Sequence, residues 1–104
     1  MDEGALAHPK SASIRDPEYL AWLRTRSCVA CGWDGGCDPS HHGRHGIGLK
    51  PSDHSAIPLC RRCHNHWHST GKVFGQDHLD RDQTRAWLAK QVAAQRAAFT
   101  GDVT

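Results

Sequence analysis

Two Cys-x2-Cys pairs, Cys28-Val29-Ala30-Cys31 and Cys60-Arg61-Arg62-Cys63, are separated by 28 residues. Each pair can turn both sulfurs toward one tetrahedral ion, so the doubled spacing ties two distant stretches of chain to a common point. Zinc is the natural occupant. A closed four-thiolate site leaves no position for water, which makes such an ion structural and its binding part of the folding free energy. Gly32, directly after the first pair, lets the backbone turn back under the metal, and the second pair enters a helix, as in a treble-clef arrangement. The competing reading, two disulfides and a spare thiol in a secreted chain, fits the paired spacing less well. Cys37, the fifth cysteine, is left open as an alternative ligand, a buried apolar side chain or a free thiol.

A metal anchor also suits the size of the chain. With 104 residues, 38% of them hydrophobic, there is room for one domain whose apolar core alone gives marginal stability. The expected domain spans residues 14–99, with tails at 1–13 and 100–104. A formal charge of +2 permits nucleic-acid contact without announcing it. The start, Met1-Asp2-Glu3, lacks a basic segment followed by an apolar one, and no run reaches the length of a membrane span, so the expected location is cytoplasmic, away from membranes.

Asp16-Pro17-Glu18 reads as a helix start, with aspartate as N-cap, proline at the first position and an acid near the positive end of the dipole. The spacing of Tyr19, Leu20, Trp22 and Leu23 predicts a short amphipathic helix ending near Arg26. Glycines at 32, 35, 36, 43, 46 and 48 make the stretch from Cys28 to Lys50 loops with short strands. Ala56-Ile57-Pro58-Leu59 suits the second strand of a hairpin whose first strand leads into His41-His42, with Pro58 requiring an edge or a strand end. A helix is expected from Arg61 to about His68, and the longest one from about Asp82 to Phe99. Helices flanking a small hairpin make the fold class α+β.

His64 and His68, at i and i+4 on a helix, present both imidazoles on one face, close enough to share an ion. Cys63 is adjacent, so the structural metal would fix where this pair sits. His41 and His42 point to opposite sides of an extended strand, so one can join the ion while the other stays free for proton transfer. Three histidines around an ion with open positions suit Lewis-acid catalysis, and a neutral histidine suits taking a proton from water.

These residues resemble the HNH endonuclease superfamily, and most closely its compact phage and prophage members. The matching pieces are Cys28, Cys31, Gly32, His41, His42, Lys50-Pro51-Ser52-Asp53, Ile57-Pro58-Leu59-Cys60, Cys63, His64 and His68, preceded by a lead-in helix through Arg24. The resemblance implies a ββα-metal fold in which His41, His64 and His68 hold a catalytic divalent ion, such as Mg2+, Mn2+, Ni2+ or Zn2+, and His42 is the general base. The middle asparagine of the motif is absent. Asp53 or Ser55 stands near its place and can restrain the hairpin loop and orient the base.

On this reading the chain hydrolyses DNA to 5′-phosphate and 3′-hydroxyl ends, and a phage recombination or packaging protein is an expected partner. Arg44, Lys50, Arg61, Arg62 and Lys72 are candidates for holding flanking phosphates. His45, His54, His66 and His78 are read as surface or hydrogen-bonding residues, and Trp33 and Trp67 as clamps on the core rather than base-stacking platforms. One rival is a non-catalytic treble-clef module binding nucleic acid or protein. Another is a zinc hydrolase of peptides or small molecules; against it, Asn65 stands where a His-Glu-x-x-His motif would carry its glutamate.

Overall fold

Asp16 starts the first helix through its side chain: Oδ1 accepts the Tyr19 N–H at 3.1 Å, and Pro17 takes the first helical position. The computed structural model describes residues 14–42 and 51–103, with backbone only at 102 and 103. The elements are α1 (Pro17–Leu23), β1 (Asp38–His41), a 3-10 turn (Asp53–Ser55), β2 (Ala56–Leu59), α2 (Arg61–Thr70) and α3 (Arg81–Val103). The expected tail at 1–13, and Arg44, His45 and Lys50, lie outside the described residues.

The α+β class holds, with one two-stranded antiparallel sheet among the described residues. Its register pairs Asp38 with Leu59, Pro39 with Pro58, Ser40 with Ile57 and His41 with Ala56. Two facing prolines cannot exchange N–H bonds, so Pro39 and Pro58 take a non-hydrogen-bonded position, where backbone carbonyls point away from the partner strand. Those outward carbonyls are used. Pro58 C=O accepts the Val29 N–H at 3.0 Å, docking the cysteine knuckle on the sheet, and Ala56 C=O accepts the Tyr19 hydroxyl at 3.2 Å.

Strand alternation then gives the hairpin two buried faces. On one, Ile57 and Leu59 join Cys28, Cys60, Cys63, Val73 and Leu88; on the other, Ala56 joins Tyr19 and Leu23, with Trp22 and Phe99 packed against them. The first face carries α2 and the start of α3, and the second carries α1 and the end of α3. The sheet is thus the wall between two small cores.

Three element boundaries differ from expectation. Helix α1 ends at Leu23 instead of near Arg26, because the Thr25 and Arg26 N–H groups reach back only three residues and the Thr25 hydroxyl takes the Trp22 carbonyl at 2.7 Å. Helix α3 starts at Arg81 because Asp80 and Gln83 form a reciprocal capping box, each side chain bonding the other's N–H at 2.7 and 2.9 Å. It also runs to Val103, so residues 100–103 are its last turn rather than a tail; Phe99 packs against Tyr19 and Trp22 with ring centroids 5.1 and 5.2 Å apart, which holds the helix end down.

Asp16 also closes the second core. Its Oδ2 accepts from His54 Nε2 at 2.9 Å and lies 3.9 Å from Arg96. The His54 hydrogen bond, outweighing burial, holds the carboxyl below its ordinary value. Asp16→Ala is expected to cost about 1–2 kcal/mol at neutral pH, as for a lost N-cap with an ion pair added. Because the folded pKa is depressed, that difference is present above the unfolded carboxyl pKa and disappears as pH falls through the folded one. Denaturant midpoints of both proteins at pH 7 and near pH 3 check it.

Candidate metal centre and histidine site

The Sγ atoms of Cys28, Cys31, Cys60 and Cys63 all lie within 4.8 Å of one another, with Cys31 and Cys60 3.6 Å apart. Two sulfurs on one tetrahedral zinc, each at ~2.3 Å, would be roughly 3.8 Å apart, so the set can hold a metal ion. All five cysteines are free thiols. Gly32 closes the knuckle at φ 84°, a left-handed conformation that a side chain would resist, and its N–H bonds the Cys28 carbonyl at 2.9 Å. The second pair is placed by α2, which starts at Arg61 straight after β2.

The four thiols are not alike. A hydrogen bond from the Trp33 backbone brings Cys31 down to about 7, whereas burial pushes Cys63 up. The neighbouring Cys31 sulfur raises the Arg62 guanidinium pKa, and the guanidinium lies 4.6 Å over the Phe74 ring. Cys37 stands outside the set. It is buried in the first core, its thiol 3.8 Å from the Trp33 carbonyl and raised by burial to about 11, so of the three open readings the structure selects the buried apolar one.

On α2, His64 and His68 meet with Nε2 atoms 3.0 Å apart. Asp38 Oδ2 fixes the other side of His64, 3.4 Å from Nδ1, while also accepting from Arg61 Nε at 2.9 Å. The Arg61 bond is the main reason that the Asp38 carboxyl lies below its usual range. Alternation along β1 puts Asp38, Ser40 and His42 on the α2 side. Accordingly His42 lies edge-on to Trp67 with centroids 4.9 Å apart, and its Nε2 is 2.7 Å from Ser40 Oγ. Burial first, and then His64, His41 and His68, lower the His42 pKa to about 4, so the ring is neutral at ordinary pH.

His41 faces the other way. Its Nε2 is 2.9 Å from Oδ1 of Asp53, a buried carboxylate that also accepts the Asp16 N–H at 2.7 Å and Arg15 at 3.4 Å. Burial raises the Asp53 carboxyl, but these donors outweigh it and the pKa is lowered. Ser55 supports the backbone instead: its carbonyl accepts the His42 N–H at 3.2 Å and its hydroxyl donates to the Ser52 carbonyl at 2.7 Å. The structure therefore brings His64 and His68 together but does not close His41 onto them. Among the described residues the four cysteines are the only group of three or more His, Cys, Asp or Glu whose ligand atoms lie mutually within 4.8 Å.

The remaining sequence candidates divide. Arg61 is largely exposed beside Asp38, and Lys72 has its ammonium on the Leu79 carbonyl at 2.7 Å. His54 and His66 are hydrogen-bonded to Asp16 and Asp77 at 2.9 and 2.6 Å, as expected of them, and His78 is exposed. Trp67 packs against the first core, but Trp33 is 57% exposed, with its indole over Gly35, and does not clamp the core. A bend at Gly35 and the positive φ of Gly36, 121°, follow it, and the ring lies beside a cavity of about 570 Å3 shared with Arg61 and Arg62.

Sequence reasoning missed Asp38 and Ser40, although the period of two before His42 was available as a signal. It also missed a cavity of about 420 Å3 whose walls include His41, His42, Trp67, Arg81, Thr84 and Arg85. No helix of the described residues is long and apolar enough to cross a membrane.

A family model described as "Protein of unknown function (DUF968)" matches residues 2–94, nearly the whole chain. The chain is also similar to "Uncharacterized protein YdfU" of Escherichia coli (strain K12), 35% identical over 75 residues; this match covers 69% of the chain and 21% of that protein's length. No solved structure matches.

Proposed function

The chain belongs to the DUF968 family of proteins of unknown function, and from its own residues we propose that it is a metal-dependent DNA endonuclease of the HNH type, with a structural zinc ion on Cys28, Cys31, Cys60 and Cys63. The cysteine knuckle, the hairpin and the helix follow one another in the order that a treble-clef ββα-metal fold requires.

One observation carries the reading: the His64 and His68 Nε2 atoms are 3.0 Å apart while Asp38 occupies the far nitrogen of His64. Two imidazole nitrogens on a common ion, each at ~2.0–2.1 Å, lie roughly 3.0–3.4 Å apart. A carboxylate on the outer nitrogen is the usual support of a metal-binding histidine, fixing its tautomer and raising its basicity. Such an ion supplies Lewis-acid stabilisation of the 3′-oxygen leaving group.

The two strand histidines divide the remaining work, and their placement favours the reverse of the assignment that the resemblance implies. His42, half-buried on the α2 side and neutral, suits the third ligand. His41 is exposed, beside a pocket lined by Arg15, Pro51 and Asp53, and is backed by Asp53, which suits the general base, because a carboxylate stabilises the imidazolium as it forms. His41 takes a proton from water, the water oxygen bonds to phosphorus, and the bond to the 3′-oxygen breaks; that oxygen takes up a proton from solvent, leaving 5′-phosphate and 3′-hydroxyl ends.

A second reading, a non-catalytic zinc module that binds nucleic acid or protein, draws on one fact: no third ligand atom stands with those of His64 and His68 among the described residues. Incubation of supercoiled plasmid with Mg2+, Mn2+ or Ni2+, with and without chelator, separates the two. Nicked and linear products that vanish with chelator are expected. Intact plasmid under every ion, with duplex binding retained, favours the binding module.

A further inference from the structure

The cavity between the end of β1 and the first turns of α3 is lined by donors that have nothing to bond. Thr84 is 5% exposed, and its Oγ1 is fully buried with no hydrogen-bond partner. A helical threonine ordinarily turns its hydroxyl back to the carbonyl four residues earlier; here the Asp80 carbonyl takes the Thr84 N–H at 2.8 Å and the hydroxyl stays unbonded. An orphaned buried hydroxyl is costly and marks a place for a ligand atom.

Arg81 and Arg85 stand one turn apart on the same wall, on either side of Thr84. Among the described residues neither guanidinium forms an ion pair or hydrogen bond. Two exposed guanidinium forks and an unbonded hydroxyl lining one cavity suit an oxyanion with several acceptor oxygens. The opposite wall carries His41 and His42, so an anion held there lies beside the histidine site.

We propose that this cavity seats a phosphate of the polynucleotide backbone next to the one that is cut, with Arg81, Thr84 and Arg85 as its ligands. The oxyanion chemistry stands on these three residues; naming a polynucleotide as its source rests on the nuclease reading. None of the three carries out chemistry. They set the register of the strand relative to His41.

The test is fluorescence anisotropy of a labelled duplex of about twenty base pairs with the full zinc-loaded chain and no added divalent ion, over about 50 to 200 mM salt. The Arg81→Ala/Arg85→Ala double variant is expected to bind at least about tenfold more weakly and to lower the slope of log affinity against log salt by roughly 1, the one phosphate that the two arginines share. Lys90→Ala, which removes an exposed charge of α3 outside the cavity, leaves the slope as in wild type. Thr84→Val is expected to lose about fivefold in affinity at unchanged slope, with a melting temperature equal to or above wild type because the orphan hydroxyl is gone. A double variant whose slope matches that of Lys90→Ala overturns the proposal, as does Thr84→Val binding like wild type. A chain that shows the expected slopes yet cuts no plasmid with any ion loses the nuclease reading and keeps the phosphate seat. One that cuts while the double variant keeps the wild-type slope loses only the seat.

Discussion

Cys60→Ser is expected to leave the chain without a cooperative thermal transition, and excess chelator should do the same to the wild type. The four sulfurs come from two segments that share little else: the knuckle meets the sheet through the Val29 to Pro58 hydrogen bond and a few side chains of the first core. Structural zinc in a four-ligand site contributes about 10–16 kcal/mol of apparent binding free energy at neutral pH, as large as the whole net stability of a typical domain, about 5–15 kcal/mol. Removing one thiolate therefore removes most of what opposes chain entropy. Cys37→Ala is the matched control. It deletes a buried sulfur outside the cluster, so it should keep the metal and lose only about 1–2 kcal/mol. Circular dichroism melts with elemental analysis, one zinc per chain expected, measure both. A metal-free wild type melting at the temperature of the loaded protein would refute the structural role.

The second large effect concerns the histidines. His41→Ala is expected to lower plasmid cleavage by about 10²–10⁴-fold, the usual worth of a positioned base, with the dependence of rate on metal concentration unchanged. His68→Ala should instead raise the metal concentration needed for half-maximal rate, and His42→Ala should behave like His68→Ala. Asp53→Asn tests positioning: a loss of about 10–100-fold, together with a shifted acid limb in the pH–rate profile, separates orientation of His41 from simple loop support. If His42→Ala lowers turnover at unchanged metal dependence and His41→Ala weakens the metal, the two roles are the other way round. If all four variants cut as well as wild type, the site lies elsewhere.

Much of this was legible in local pattern. Asp16-Pro17 marked the start of α1, the His64 and His68 spacing put two rings on one helical face, and the doubled Cys-x2-Cys placed both halves of the four-cysteine cluster. Pro58 was readable as a strand-edge residue, though not as the partner of Pro39. Other features depended on distance in the chain. Trp33 carries the composition of a core residue, yet its ring lies over Gly35 on the surface. His41 and His42 are equivalent in sequence, and only the docking of α1 on one face of the hairpin and α2 on the other separates their partners, Asp53 and Trp67.

The sequence by itself determined the covalent order of ligands, the periodicities of helix and strand, and the caps that start α1 and α3, because each depends on residues within a few positions of one another. The tertiary structure alone decided which side of the hairpin faces which helix, that Asp38 braces His64 across 26 residues, and that Arg81, Thr84 and Arg85 stand opposite the strand histidines. Those contacts depend on strand register and helix docking, which are fixed by burial of both sheet faces at once and leave no trace in any short stretch of chain.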